Sequence, residues 1–132
     1  MNARDLLFRT NRFNLSSVHP HFINPCCFGE DLAAWLRGKL SERGIAASQP
    51  FQEDWGWELP ADFDSNSYYL GMSGNSGDGA TDNGEWRIII EKRRSIWDHI
   101  TGKGKIAGDD RMLTLVEDIL ANQADFHDVR RA

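Results

Sequence analysis

The chain has 132 residues, a hydrophobic fraction of 40%, a charged fraction of 27% and a formal net charge of −5. This length suffices for one domain with a hydrophobic core and is short for two, so we expect residues 1–132 to form a single domain. The negative charge argues against general affinity for phosphate backbones, which disfavours a nucleic-acid partner. No apolar run approaches the roughly 20 residues that span a bilayer, so we expect no membrane segment.

The first half of the chain predicts a strand followed by a helix. The strand is expected over Phe8 to Leu15. Asn24-Pro25 is one possible helix start, because Asn caps helices and Pro suits the first helical position. A start near Glu30 is the alternative. Apolar residues at helical spacing follow, and Gly44 is expected to end the helix.

Three further strands and a second helix follow. Alternation predicts strands at Trp55 to Leu59, Tyr68 to Met72 and Trp86 to Ile90, with Pro60 ending the first of them. The second helix is expected to open at Gly108-Asp109-Asp110, because acids suit a helix N-terminus.

The element order predicts the fold class. We expect an α+β two-layer sandwich in which an antiparallel sheet of three to four strands carries two helices on one face. The expected core residues are Trp35, Leu36, Leu40, Trp55, Trp57, Leu70, Trp86, Ile88, Ile90, Val116 and Ile119.

The segment Glu53-Asp54-Trp55-Gly56-Trp57-Glu58 is the main candidate for a ligand site. In a strand, Trp55 and Trp57 would leave one face while Asp54 and Glu58 leave the other. Glu53, Asp54 and Glu58 could then transfer a proton or bind a cation, with the tryptophans holding a ring-shaped or cationic ligand. The alternative interpretation is that both indoles are core residues and the acids face solvent.

Basic residues form one candidate patch, which consists of Arg87, Lys92, Arg93 and Arg94. A helix, three strands and a helix is also the element order of double-stranded-RNA-binding domains. In those domains lysines begin the second helix, whereas Asp109 and Asp110 stand there in this chain. We therefore expect a solvated face or a patch for an acidic protein partner.

Cys26 and Cys27 are adjacent, and neighbouring cysteines seldom pair because the resulting ring is strained. Free thiols favour a reducing, cytoplasmic location. His19 and His21 precede these cysteines, but a structural zinc site uses spaced rather than adjacent cysteines. We therefore predict no metal and no cofactor.

Two segments of the chain resemble known sequences. Residues 24–36 and the motif Glu53-Asp54-Trp55-Gly56-Trp57 are similar to small uncharacterised bacterial proteins that share an acidic-Trp-Gly-Trp motif. The resemblance implies a bacterial source and a single domain. It carries no activity and no catalytic residue.

Small size, acidic charge and the lack of a complete catalytic set favour a non-enzymatic binding or protein-interaction module, of immunity or adaptor type, with a protein partner. The alternative is a small-molecule-binding protein or hydrolase that uses Glu53, Asp54 and Glu58 beside an aromatic pocket. The residue pattern leaves the oligomeric state open.

Overall fold

The computed structural model describes residues 3–15, 17–24, 27–75, 84–93 and 106–132. Its two helices in this part of the chain are α1 (Glu30–Glu42) and α2 (Arg111–Ala121). Its strands are β1 (Ala3–Thr10), β2 (Phe51–Gln52), β3 (Trp57–Phe63), β4 (Asn66–Asn75), β5 (Gly84–Lys92) and β6 (His127–Arg131).

The strands form one six-stranded sheet with the order β2-β3-β4-β5-β1-β6. Every neighbouring pair is antiparallel. The α+β class is confirmed, but the expected count of three to four strands is too low. β2 and β6 were not predicted, since two residues of β2 and the mostly exposed residues of β6 display no alternation.

Both helices pack on the same face of the sheet. Burial alternates along β5, where Trp86, Ile88 and Ile90 are buried and the residues between them are more exposed. The buried strand residues join Leu36 of α1 and Val116 of α2 in one hydrophobic cluster. Neither of the described helices packs on the opposite face of the sheet. We call that opposite face the open face.

The open face is defined by the register of the central strands. Glu58 of β3 pairs with Gly71 of β4, Gly71 pairs with Ile89 of β5, and Ile89 pairs with Asp5 of β1. Residues two positions away along each strand share this face, because side chains alternate across a sheet.

The boundaries of β1 and β3 differ most from the predictions. The first strand is Ala3–Thr10, so it begins and ends earlier than expected. β3 continues through Pro60 to Phe63. The Pro60 carbonyl accepts from the Ser48 N–H at 2.8 Å, on the side away from β4, so the missing N–H costs no bond to β4.

The helix predictions agree more closely with the structure. α1 begins at Glu30, the second of the two expected starts, and Gly44 follows it with a φ of 76°. Asp110 caps α2, because its side chain accepts from the backbone N–H groups of Met112 and Leu113. Neither helix in the described residues is long and apolar enough to cross a membrane.

Most of the expected core is buried. The exceptions are Trp35, which is only partly buried, and Trp55, which is 45% exposed. The placement of Trp55 in the core was therefore wrong, and its surroundings are central to the candidate site.

Candidate functional site

The acidic-tryptophan segment forms a tight connection between β2 and β3, not a continuous strand. The Glu53 N–H donates to the Gly56 carbonyl at 2.8 Å and closes a turn over residues 53–56. Gly56 lies against β4 so closely that a Cβ there would stand 2.1 Å from the Met72 carbonyl oxygen. Only glycine permits this approach. The turn breaks the alternation that would have placed both tryptophans on one face.

Trp55 lies on the open face. Its six-membered ring covers Gly71, where an added Cβ would meet the ring at 2.5 Å. Gly71 faces away from the helices, because its neighbours Leu70 and Met72 are fully buried on the core side. Phe51, which is 41% exposed, pairs with Glu58 on the adjoining strands. Trp55 and Phe51 are thus large apolar side chains exposed near one another on this face.

Trp57 has the opposite environment. It is 5% exposed, and its indole N–H donates to the Cys27 carbonyl at 3.0 Å. Gln52 holds the same segment, because its side chain donates to the carbonyls of Asn24 and Cys27 at 2.7 and 3.1 Å. Trp57 therefore fixes the chain before α1 to the sheet and is not available to a ligand.

The three candidate carboxylates do not form one cluster, because Asp54 lies apart from Glu53 and Glu58. Asp54 lies toward the segment before α1, with Asn24 Nδ2 donating to its carboxylate at 3.4 Å. Glu53 and Glu58 come together: desolvation, the charge and hydrogen bond of Glu53, and the charge of Glu91 raise the pKa of Glu58. The acidic end of the open face, defined as Glu53, Glu58 and Glu91, therefore concentrates negative charge.

No cation of the described residues neutralises this acidic end. None of the ion pairs between described residues involves Glu53, Glu58 or Glu91. Glu91 pairs across the strands with Tyr69, and Tyr69 pairs with Pro60, so aromatic and apolar groups adjoin the acids. Glu91 and Tyr69 were not among the predicted site residues, although alternation along β4 and β5 puts both on the face of the sheet away from Leu70 and Ile90.

The candidate basic patch does not assemble as one surface in the described residues. Arg87 lies on the open face, whereas Lys92 approaches Asp110 on the helix side at 4.0 Å. Arg93 is exposed beyond the end of β5, and Arg94 lies outside the described residues. Arg87 instead groups with Arg9 and Arg130 around a cavity.

The histidine and cysteine segment offers little chemistry. The His19 and His21 rings stack at 5.6 Å, and His21 Nε2 lies 2.6 Å from Glu30 Oε2. Among the described residues, no group of three His, Cys, Asp or Glu side chains is placed to hold a metal. Cys27 is disulfide-bonded, contrary to the expectation of a free thiol, and Cys26 lies outside the described residues. The cysteines therefore no longer support a reducing compartment.

Comparison with known proteins adds no assignment. No protein-family model matches the chain, and neither a curated protein nor a solved structure matches it.

Proposed function

We propose that this chain is a non-enzymatic protein-interaction module whose open face binds a basic segment of a partner protein. The observation that carries the proposal is the exposure of Trp55 on Gly71 beside the carboxylates of Glu53 and Glu58, which form no ion pair with a described residue. In keeping with the resemblance noted above, we further propose a bacterial source and an immunity or adaptor role. A cytoplasmic location is also part of this proposal; it follows from the adaptor or immunity role and draws no support from the disulfide-bonded Cys27.

Exposed aromatic side chains support an interaction surface. Tryptophan and tyrosine are enriched at the centres of protein interfaces, because each buries a large area with few rotatable bonds. Trp55 packs its six-membered ring against the backbone at Gly71, so the exposed part of the ring is already in place for a partner. A preformed surface lowers the conformational cost of binding.

The charge at the acidic end supports a cationic partner. Repulsion between neighbouring Glu53 and Glu58 is relieved when a lysine or arginine approaches, and the same cation can lie against an aromatic ring. The formal net charge of −5 adds long-range attraction for a basic protein.

Affinity capture from the source organism tests this proposal with three baits. The first is the wild-type chain. The second carries W55A, E53Q and E58Q on the open face. The third is a charge-matched control with E42Q in α1 and D109N just before α2, two exposed positions on the helix layer. We expect one basic protein in stoichiometric amounts on the wild-type and control baits, and its loss from the open-face bait.

Two results would count against the proposal. A partner retained equally by all three baits would bind another surface. An acidic partner would contradict the assigned charge complementarity.

A second candidate function rests on the raised pKa of Glu58. A carboxyl group with a raised pKa beside a second carboxylate is an arrangement that many hydrolases use for general acid–base catalysis. Hydrolysis of chromogenic glycosides and esters, abolished by E58Q and by E53Q but not by E42Q, would favour this candidate. Absence of turnover across such a panel would leave the interaction module as the better explanation.

A further inference from the structure

A separate cavity of about 330 Å³ lies where β5, β1 and β6 meet on the open face. Leu7, Arg9, Ser73, Glu85, Arg87 and Arg130 are among the residues that line it. Leu7 of β1 pairs with Arg87 of β5 on one side and with Arg130 of β6 on the other. The two arginines therefore flank one apolar side chain at the same level of the sheet.

The three arginines differ in how their charge is used. Arg9 donates to the Glu85 carboxylate at 2.5 Å and lies 3.7 Å from Asp128. Arg9 is thus paired with two carboxylates, and its hydrogen bond fixes the Glu85 side chain at the edge of the cavity. The charge of Arg9 is therefore neutralised within the protein, and we do not assign Arg9 to ligand binding.

The guanidinium groups of Arg87 and Arg130 form fewer hydrogen bonds and ion pairs with described residues than that of Arg9. Among the described residues, Arg87 forms one ion pair, from Nε to the Asp5 carboxylate at 3.5 Å, and this contact is not a hydrogen bond. Arg130 donates from Nη1 to the Asp128 backbone carbonyl at 2.9 Å and forms no ion pair with a described carboxylate. Each guanidinium has five N–H donors in a fixed plane, so most donors of both groups are unused within the described residues.

We propose that this cavity binds a small phosphate-bearing molecule, with its phosphate between Arg87 and Arg130. A planar guanidinium donates two parallel hydrogen bonds to a phosphate, and two such groups match the two charges of a phosphate monoester. Leu7 provides an apolar surface for the organic part of the ligand, and the Ser73 hydroxyl adds a further donor at the wall. The volume is at the lower end of the range typical of small-molecule sites.

This site is independent of the proposed interaction surface. The residues that line the cavity do not include Trp55, Glu53 or Glu58. Loss of the partner in the open-face bait therefore says nothing about phosphate binding, and failure of phosphate binding leaves the partner proposal unaffected.

Isothermal titration with phenyl phosphate and with inorganic phosphate tests the assignment. We expect phenyl phosphate to bind more tightly than inorganic phosphate, because only the ester covers Leu7. Arg87→Gln and Arg130→Gln should each weaken phenyl phosphate binding by at least about tenfold, the loss expected for a charge-assisted pair. Arg87→Lys keeps the charge but loses the planar fork, so it should also weaken binding.

Arg4→Gln is the matched control, because Arg4 is exposed, lies on the helix side of β1 and changes the net charge equally. Circular dichroism confirms that each variant is folded. No detectable binding of either probe to the wild-type chain would overturn the proposal. Binding that the Arg87 and Arg130 variants retain, or that Arg4→Gln reduces equally, would also overturn it, since it would reflect general charge attraction.

Discussion

At the scale of single residues, the two tryptophans of one short motif have different roles. Trp57 is buried and hydrogen-bonded, whereas Trp55 covers a glycine on the open face. We expect Trp57→Ala to lower the free energy of unfolding by about 3–5 kcal/mol. Trp55→Ala should cost about 1 kcal/mol, because its ring is only partly removed from water. Urea denaturation of the two variants measures both values, and equal losses would contradict these environments.

Gly56 is the residue that separates the two tryptophans. Gly56→Ala places a Cβ against the Met72 carbonyl, so the turn or β4 must shift. We expect a loss of more than about 1 kcal/mol in unfolding free energy. Gly38→Ala is the control: Gly38 lies within α1 with nothing within 4 Å of an added Cβ, and its replacement should stabilise the helix by about 0.5–1 kcal/mol. Thermal unfolding that ranks the two variants in the reverse order would refute the close approach.

Because the pKa of Glu58 is raised in the folded protein, ionisation of Glu58 lowers the free energy of unfolding as pH rises. A carboxyl group whose pKa is higher in the folded protein contributes stability below its unfolded pKa, and this contribution is lost as pH rises through the folded value. Glu58→Gln should therefore stabilise the protein at pH 7, by less than about 1 kcal/mol on a partly exposed surface. The gain should disappear near pH 4. Denaturant titrations at both pH values, with Glu42→Gln as control, check this; a gain that grows toward acid pH would be inconsistent with it.

The Trp-Gly-Trp motif also shows which features of the site the residue pattern predicts and which it does not. Alternation assumed one uninterrupted strand, so it correctly placed Trp57 inside and wrongly placed Trp55 beside it. The contact between Gly56 and Met72 joins residues of different strands, and nothing within the motif specifies that contact. Glu53 and Glu58 meet for the same reason, because the turn returns the chain on itself.

At the scale of elements, Asp110 connects α2 to the sheet. Its carboxylate caps the helix and accepts from the Tyr68 hydroxyl at 2.9 Å, and burial and this hydrogen bond raise the pKa of Tyr68. We expect Asp110→Ala to cost about 2 kcal/mol or more, from the lost cap and the unpaired hydroxyl. Asp110→Asn keeps the capping oxygen and should cost less. Equal losses for the two variants, measured by denaturant unfolding, would show that capping contributes little.

Helices and strands were predictable where the hydrophobic periodicity of their own residues identifies them. α1, α2, β4 and β5 carry their own periodicity, and each appears near its expected position. β2 and β6 are held by their neighbours in the sheet, through pairs such as Phe51 with Glu58 and Arg131 with Leu6. Such pairing is decided by contacts distant in sequence, and no short segment predicts it.

At the scale of the whole molecule, one face of the sheet is buried under both helices and the other carries the candidate sites. The acidic end around Glu58 and the cavity around Arg87 lie on different strands of this open face. The net charge of −5 describes the chain as a whole and does not indicate that arginines gather at β1, β5 and β6. That grouping follows from the strand order, in which β1 lies between β5 and β6.

The most direct test of the open-face proposal is an NMR titration of the indole N–H signals with the protein partner recovered by affinity capture. Trp55→Phe and Trp57→Phe assign the two signals of the motif. We expect the Trp55 signal to shift on binding while the buried Trp57 and Trp86 signals stay in place. A shift at Trp35, on the helix side, with Trp55 unchanged would contradict the assignment of the open face as the binding surface.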